Sequence, residues 1–260
     1  MTDKLSICIV AFRNEEDVLR ALETLYQFTD PMISKIVYVV DNGREDKREG
    51  EAFQNRIESF PNAVYLKTDD NIGYGKGQNA VLGKLQSEYH CIMNPDIVFF
   101  EDAFSKILSY MDKNPSVGMV IPQILDENRQ RQLVYRKDPT VLDLFIRMFC
   151  KKLFPKRFKE HTLQGKDFTK PFLIPFGQGS FLVIRTELFQ KIGGFDDRFF
   201  LYMEDADLCR RVNQESELMY LPDAAVIHHW EKGSHKDLRL FRIHLESMKA
   251  YFDKWGWKWK

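Results

Sequence analysis

An excess of charge of one sign is missing, because 38 Lys and Arg balance 38 Asp and Glu over 260 residues. No global field draws such a chain onto a polyanion, so nucleic acid is not an expected partner. Cysteine is scarce: Cys8, Cys91, Cys150 and Cys209 are scattered without paired spacing. Cys8 and Cys91 lie in apolar, strand-like runs, where a thiol behaves as a small hydrophobe. That pattern speaks against a disulfide framework or a zinc site and for a reducing compartment. No apolar run reaches the roughly 18–20 residues that a membrane helix needs. The opening segment MTDKLSICIVAF has no basic region ahead of a long apolar stretch, and it reads as a strand rather than a signal peptide. Repeats, low-complexity blocks and separating linkers are also lacking, which predicts one continuous domain over 1–260.

Hydrophobic residues make up 44% of the chain, enough for a sizeable interior. Short β-branched runs alternate with helical patterns through the first half. Strands are expected at Leu5–Val10, Ile36–Val40, Val64–Leu66, Cys91–Met93 and Val117–Ile121. Helices are expected at Glu15–Phe28, with Asn14 as its N-cap, and at Ala52–Phe60, Gly77–Leu85 and Phe104–Met111. Strands separated by helices predict an α/β fold with a mostly parallel central sheet flanked by helices. The second half is less regular. A Pro- and Arg-interrupted stretch from Pro122 to Pro175 precedes strands at Phe181–Ile184, Leu218–Tyr220 and Ala225–Ile227. Helical patterns cover Thr186–Ile192, Asp205–Asn213 and Leu238–Phe252.

In open α/β sheets ligands bind beyond the carboxyl ends of the strands. Those ends carry Ala11-Phe12-Arg13-Asn14-Glu15, then Asp41-Asn42-Gly43, then Asn71-Ile72-Gly73 and the glycines that follow, then Asn94-Pro95-Asp96. Each alone reads as a turn, since Asn, Asp and Gly favour turns for local reasons. Together they place polar and acidic groups along one sheet edge. Gly73, Gly75 and Gly77 follow the third strand with G-x-G-x-G spacing, and no G-x-x-x-x-G-K-[ST] loop exists. A dinucleotide-binding oxidoreductase and a P-loop enzyme are therefore disfavoured.

Six segments in order, SICIVAFRNEEDVLRALETL, IVYVVDNG, DDNIGYGKGQN, MNPDI, GGFDDRFFLYMEDADLCRRV and AVIHHWEKGS, resemble glycosyltransferase family 2 and span nearly the whole chain. The resemblance implies a single GT-A domain, with a nucleotide-binding half at 1–121 and an acceptor-binding half at 122–260 that includes a C-terminal helix. It implies that Ala11, Phe12, Arg13, Asn14, Asp41, Asn71, Gly73, Asn94 and Asp96 meet a nucleotide-sugar donor. Asp96 stands at the family's D-x-D metal position, with Asn94 replacing the first acid, so a Mg²⁺ or Mn²⁺ ion would have one carboxylate there. His228 is a second candidate ligand, ahead of His229, which strand alternation turns away. Glu204-Asp205 resembles the catalytic-base motif; Asp205 is favoured as base and Glu204 competes, while Asp205 as a helix cap is the alternative. Gly177-Gln178-Gly179-Ser180 is expected to border the sugar and acceptor sites.

Arg147, Lys151, Lys152, Lys156, Arg157 and Lys159 are interleaved with Met148, Phe149, Leu153, Phe154 and Phe158, and the chain ends in alternating Trp and Lys. Both features predict peripheral contact with a membrane, on the cytoplasmic face, suited to a lipid-linked saccharide acceptor. The segment Val134–Thr140 is similar to rhamnosyltransferases of O-antigen and capsule assembly. The resemblance thus implies an inverting transferase that uses dTDP-L-rhamnose. A UDP-hexose or UDP-galactofuranose transferase and a non-catalytic saccharide-binding protein are the alternatives.

Overall fold

A computed structural model describes residues 3–44, 46–229 and 238–260. Its strands are β1 (Leu5–Ala11), β2 (Lys35–Asn42), β3 (Ala63–Thr68), β4 (Tyr89–Met93), β5 (Ile97–Val98), β6 (Val117–Leu125), β7 (Tyr135–Arg136), β8 (Phe172–Leu173), β9 (Phe176–Gly177), β10 (Phe181–Arg185) and β11 (Glu217–His228). The helices are α1 (Glu15–Phe28), α2 (Lys47–Glu58), α3 (Tyr74–Asn79), α4 (Ala103–Lys113), α5 (Val141–Phe145), α6 (Pro155–His161), α7 (Thr186–Lys191), α8 (Glu204–Glu215) and α9 (Leu238–Trp255). A π-helical turn, Ile146–Cys150, extends α5.

The main sheet has the order β3-β2-β1-β4-β10-β6-β11-β5, with β8 beside β11. β1 pairs in parallel with β2 and β4, β2 with β3, and β6 with β11. All seven residues of β1 and all five of β4 are buried. Strands that lack a solvated face must be covered on both sides, which explains their unbroken apolar sequences. β10 lies antiparallel between β4 and β6, and β5 antiparallel to β11. The sheet is therefore mostly parallel, as expected, and strand ends of one polarity gather along one edge.

Four local expectations change. Asn14 holds the N-cap position of α1 without a side-chain cap bond; its Oδ1 accepts from the Phe12 N–H at 2.8 Å and folds the turn before the helix instead. α2 begins well before Ala52, because Asp46 accepts from the N–H groups of Arg48 and Glu49, a cap that apolar periodicity does not reveal. The third helix runs from Tyr74 to Asn79, and only a 3₁₀ turn at Leu82–Lys84 remains of its second half. The two short strands after α8 are one long β11, whose register slips between Leu221 and Ala225. Pro222 and Asp223 fall in that gap, where an N–H is missing and the ladder is interrupted.

Candidate active site

A cleft of about 550 Å³ opens at the carboxyl ends of β1, β2 and β4. Phe12, Asn14, Asn71, Gly73, Asn94 and Asp96 line it, as the sequence predicts. Tyr74, Glu127, Phe200, Leu201 and His229 close the remaining wall.

On the β1 side, Ala11 is fully buried and offers only its backbone, whereas Phe12 is 45% exposed. Arg13 has φ +58° and holds its guanidinium over the Phe12 ring at 5.3 Å, outside the cleft lining. Asp41 departs from expectation: its carboxylate is turned inward, where Oδ2 accepts from Arg44 Nε and from the Tyr65 hydroxyl, both at 2.6 Å. Arg44 also pairs with Glu15, tying the start of α1 to the end of β2. Asn42, the next residue and so on the opposite face of the strand, takes the cleft position. Its amide donates to Asn71 Oδ1 and the Gly73 carbonyl, and its Oδ1 accepts from the Ile72 N–H. One side chain thus shapes the whole turn after β3. Gly73, at φ +86°, completes it; a Cβ there would lie 2.2 Å from the Phe200 carbonyl oxygen.

Asp96 and His228 meet although they come from distant segments. His228 Nε2 is 3.3 Å from Asp96 Oδ2, and both side chains are largely buried. Neither His228 Nε2 nor Asp96 Oδ1 has a hydrogen-bond partner among the described residues. The imidazole tautomer follows from its other nitrogen. Gln132 donates its amide to the carbonyls of His228 and Leu125, which fixes its Oε1 as the atom facing His228 Nδ1 at 3.2 Å. Nδ1 must then carry the proton, and Nε2 presents a lone pair towards Asp96. A carboxylate oxygen and an imidazole nitrogen, both unsatisfied, fit a divalent cation. No third His, Cys, Asp or Glu joins them among the described residues, so further ligands would be oxygens of a bound ligand or water. Gln132 is a positioning residue that sequence reading missed, because nothing in its surroundings marks it. His229 was expected to face away, yet it lines the cleft and pairs with Glu127 at 2.9 Å. The Gly233-Ser234 step that ends the AVIHHWEKGS segment lies outside the described residues.

Glu204 and Asp205 open α8 after two consecutive left-handed residues, Tyr202 at φ +70° and Met203 at φ +66°. Such backbone costs about 1 kcal/mol or more per residue away from glycine and persists only where surrounding contacts hold it. Asp205 does not act as the N-cap; Met203 holds that position, and Asp205 Oδ2 instead accepts from the Gly179 N–H at 3.1 Å. A Cβ on Gly179 would sit 3.0 Å from the Asp205 Cβ, so the small residues before β10 permit this approach. Tyr74, in the cleft wall, donates its hydroxyl to the Gly179 carbonyl at 3.2 Å and joins Asp205 to the cleft. Burial pushes both carboxyls up, Glu204 further through the neighbouring Asp205 charge, while Arg136 and Arg147 favour the charged form of Asp205. Glu204 is 6% exposed with Oε2 unpartnered. Of the two, Asp205 has the partners that favour a charge, two backbone N–H groups and two arginines, whereas Glu204 is pushed up to about 8.

A model of the family described as glycosyl transferase family 2 matches residues 6–193. The chain is 27% identical over 251 residues to N-acetylglucosaminyl-diphospho-decaprenol L-rhamnosyltransferase of Mycobacterium tuberculosis, covering 91% of this chain and 80% of that protein. It is 25% identical over 259 residues to the rhamnosyltransferase WbbL of Escherichia coli K12, covering 94% and 91%. Among solved structures, GalNAc-T7 with UDP, GalNAc and Mn²⁺ superposes with a TM-score of 0.68 at 13% identity, over 89% of this chain and 44% of that one. The mannosyltransferase PcManGT from Pyrobaculum calidifontis, with GDP-Man and Mn²⁺, gives 0.65 at 14% identity over 97% and 65%. At these identities the structures speak for the fold.

Proposed function

Because the chain belongs to glycosyl transferase family 2, we propose that it transfers L-rhamnose, with inversion, from dTDP-L-rhamnose to a lipid-linked saccharide in cell-surface polysaccharide assembly. The observation that carries the reading is the unsatisfied Asp96–His228 pair in a polar cleft whose wall connects through Tyr74 and Gly179 to Asp205. Rhamnosyl transfer is supported by the two bacterial relatives, each aligned over more than nine-tenths of the chain.

Phe12 offers a flat, half-exposed face on which a nucleobase stacks. Asn14, Asn42, Asn71 and Gly73 present polar groups to ribose and diphosphate, and Asp41 acts indirectly by fixing Arg44 and the end of β2. Asp96 and His228 would hold a Mg²⁺ or Mn²⁺ ion, which when bound neutralises charge on the diphosphate. Asp205 takes the proton from the acceptor hydroxyl as that oxygen attacks the anomeric carbon. The bond from this carbon to the diphosphate oxygen breaks, and the nucleoside diphosphate departs with the electron pair. Attack opposite the leaving group inverts the configuration. The reaction takes place at the cytoplasmic face of a membrane, where a lipid-linked acceptor resides; no helix among the described residues is long and apolar enough to cross one.

The purified protein is offered dTDP-rhamnose, UDP-galactose, UDP-galactofuranose and UDP-N-acetylglucosamine with a lipid-linked acceptor, with Mn²⁺ or with EDTA. Turnover of dTDP-rhamnose alone, abolished by EDTA and in Asp96→Ala, is expected. Turnover of a UDP-sugar instead would overturn the donor assignment, and binding without any turnover would make the protein a saccharide-binding module.

A further inference from the structure

Two arginines whose charge is felt at Asp205 are not used by the transfer reaction as described. Arg136 ends β7, and its Nε is buried without a hydrogen-bond partner among the described residues. Its Nη2 reaches only the Leu133 carbonyl at 3.3 Å and Gln178 Oε1 at 3.4 Å. Arg147 comes from the π-helical turn after α5. No ion pair of either is found among the described residues, whereas Arg157, from the same basic stretch, is bound to Asp143 at 2.7 Å. His161, 3.8 Å from Asp143, is held down to about 4, mainly by burial and also by the field of the arginines, so it adds no charge near neutrality.

Two like charges that act on each other and are each half-withdrawn from water are costly unless an anion joins them. Burial and the field of Arg147 push Arg136 down to about 9, and Asp205 is the carboxylate that both arginines feel. Asp205 is already engaged by two backbone N–H groups. Guanidinium forks match phosphate oxygens in geometry as well as charge. Next to the pair, Phe145, Phe149, Leu153 and Phe154 are 52%, 61%, 77% and 47% exposed. The Phe149 ring also packs on Phe241 of α9, so the apolar surface continues across two elements.

We propose that Arg136 and Arg147 form a subsite for the phosphate groups of the acceptor, placed so that a sugar attached to that phosphate presents its hydroxyl to Asp205, with the exposed Phe145–Phe154 ridge receiving the acceptor's lipid chain. The inference rests on the transferase reading and names what the acceptor must carry: a phosphate-linked sugar on a hydrocarbon chain. A neutral oligosaccharide leaves the two charges uncompensated. The lysines of the same stretch, Lys151, Lys152, Lys156 and Lys159, are exposed and meet any anionic surface; the arginine pair is set apart by being half-buried, with Arg136 Nε unpartnered among the described residues.

The test has two arms. Farnesyl diphosphate is titrated by calorimetry into wild type, Arg136→Gln, Arg147→Gln and Lys152→Gln, with EDTA to suppress cation-dependent binding in the donor cleft. Binding by wild type that weakens tenfold or more in both arginine variants, and not in Lys152→Gln, is expected. In the second arm the ratio of kcat/KM for a diphospholipid-linked sugar to that for an uncharged alkyl glycoside of the same sugar falls at least tenfold in each arginine variant. Thermal midpoints that hold or rise in the variants separate loss of a ligand site from loss of a structural contact. Unaltered farnesyl diphosphate binding together with an unaltered ratio overturns the subsite while leaving the transferase reading intact. Arginine-dependent diphosphate binding without turnover of any donor supports the subsite and sinks the transferase reading. Arginine-dependent binding to phosphatidylglycerol vesicles, with farnesyl diphosphate bound equally by all variants, would assign the pair to membrane headgroups and overturn the proposal.

Discussion

Asp205 and Glu204 are adjacent in sequence and separated by their surroundings. Asp205 accepts two backbone N–H groups and feels two arginines, while Glu204 is buried with an oxygen unpartnered. Asp205→Asn should lower kcat by about 10²–10⁴, the usual worth of a general base, with donor affinity unchanged by calorimetry. Both carboxyls are raised by burial, so between the ordinary carboxylate range and their raised values the folded state keeps protons that the unfolded chain has shed. Stability therefore falls as pH rises through that window. Glu204→Gln removes the Glu204 share of this cost, and its thermal midpoint should gain on wild type as pH increases from about 5 to about 8; parallel curves would show that Glu204 is not held neutral. Gln132 acts one step from the cleft by fixing the proton on His228 Nδ1. Outer-sphere partners of this kind typically change metal affinity by about 10–100-fold. Gln132→Met should weaken Mn²⁺ binding by that factor in electron paramagnetic resonance titrations, and equal affinity would remove Gln132 from the site.

At the scale of the element, α8 carries the acidic pair and is held by Asp207, the i, i+4 partner of Arg211. Asp207 is fully buried and accepts from Arg211 Nε at 2.8 Å, from Lys254 Nζ at 2.6 Å and from Trp255 Nε1 at 2.8 Å. The last turn of α9 is thereby clasped to the first turn of α8. Arg210 over the Trp255 ring at 4.3 Å closes the same contact. Asp207→Ala leaves Arg211 without its carboxylate, while Lys254 keeps Asp196 at 2.7 Å, and truncating one partner of such a buried cluster costs about 3 kcal/mol. The expected outcome is a lower denaturation midpoint with loss of activity, and little loss in Asp207→Glu. Glycine matters at the opposite edge, where Gly73 lets the turn after β3 touch the Phe200 carbonyl and so sets the width of the cleft.

Over the whole molecule, the two halves interleave. β10, from the second half, lies between β4 of the first half and β6, which crosses the boundary between the halves. A fragment ending at 121 keeps β1 to β4 but exposes the β4 edge, so residues 1–121 should not fold when expressed alone. The intact chain should unfold in one cooperative step by tryptophan fluorescence and far-ultraviolet circular dichroism alike. Ile184→Ala, in β10, should move both transitions together by about 2–5 kcal/mol; a shift in one signal alone would mean that the halves unfold separately. The alternating Trp and Lys at the C-terminus are only partly free for a membrane. Backbone carbonyls of Lys258 and Trp259 accept from Val141 and Leu142, which anchors the tail to the start of α5.

Sequence by itself determined the family, the alternation of strands and helices, and the polar residues at the strand ends. These follow from short-range periodicity and from turn chemistry that acts within a few residues. α1 is legible to the residue because its apolar stripe is complete, whereas α3 and the 122–175 stretch are not, since glycines and prolines carry no stripe. The tertiary structure alone decided that Asp41 points inward and Asn42 into the cleft, that His228 meets Asp96 and Gln132, and that Asp205 feels the half-buried Arg136 and Arg147. Sequence names a titratable group, but its partners and its distance from water set its charge, and these exist only once distant segments have packed together.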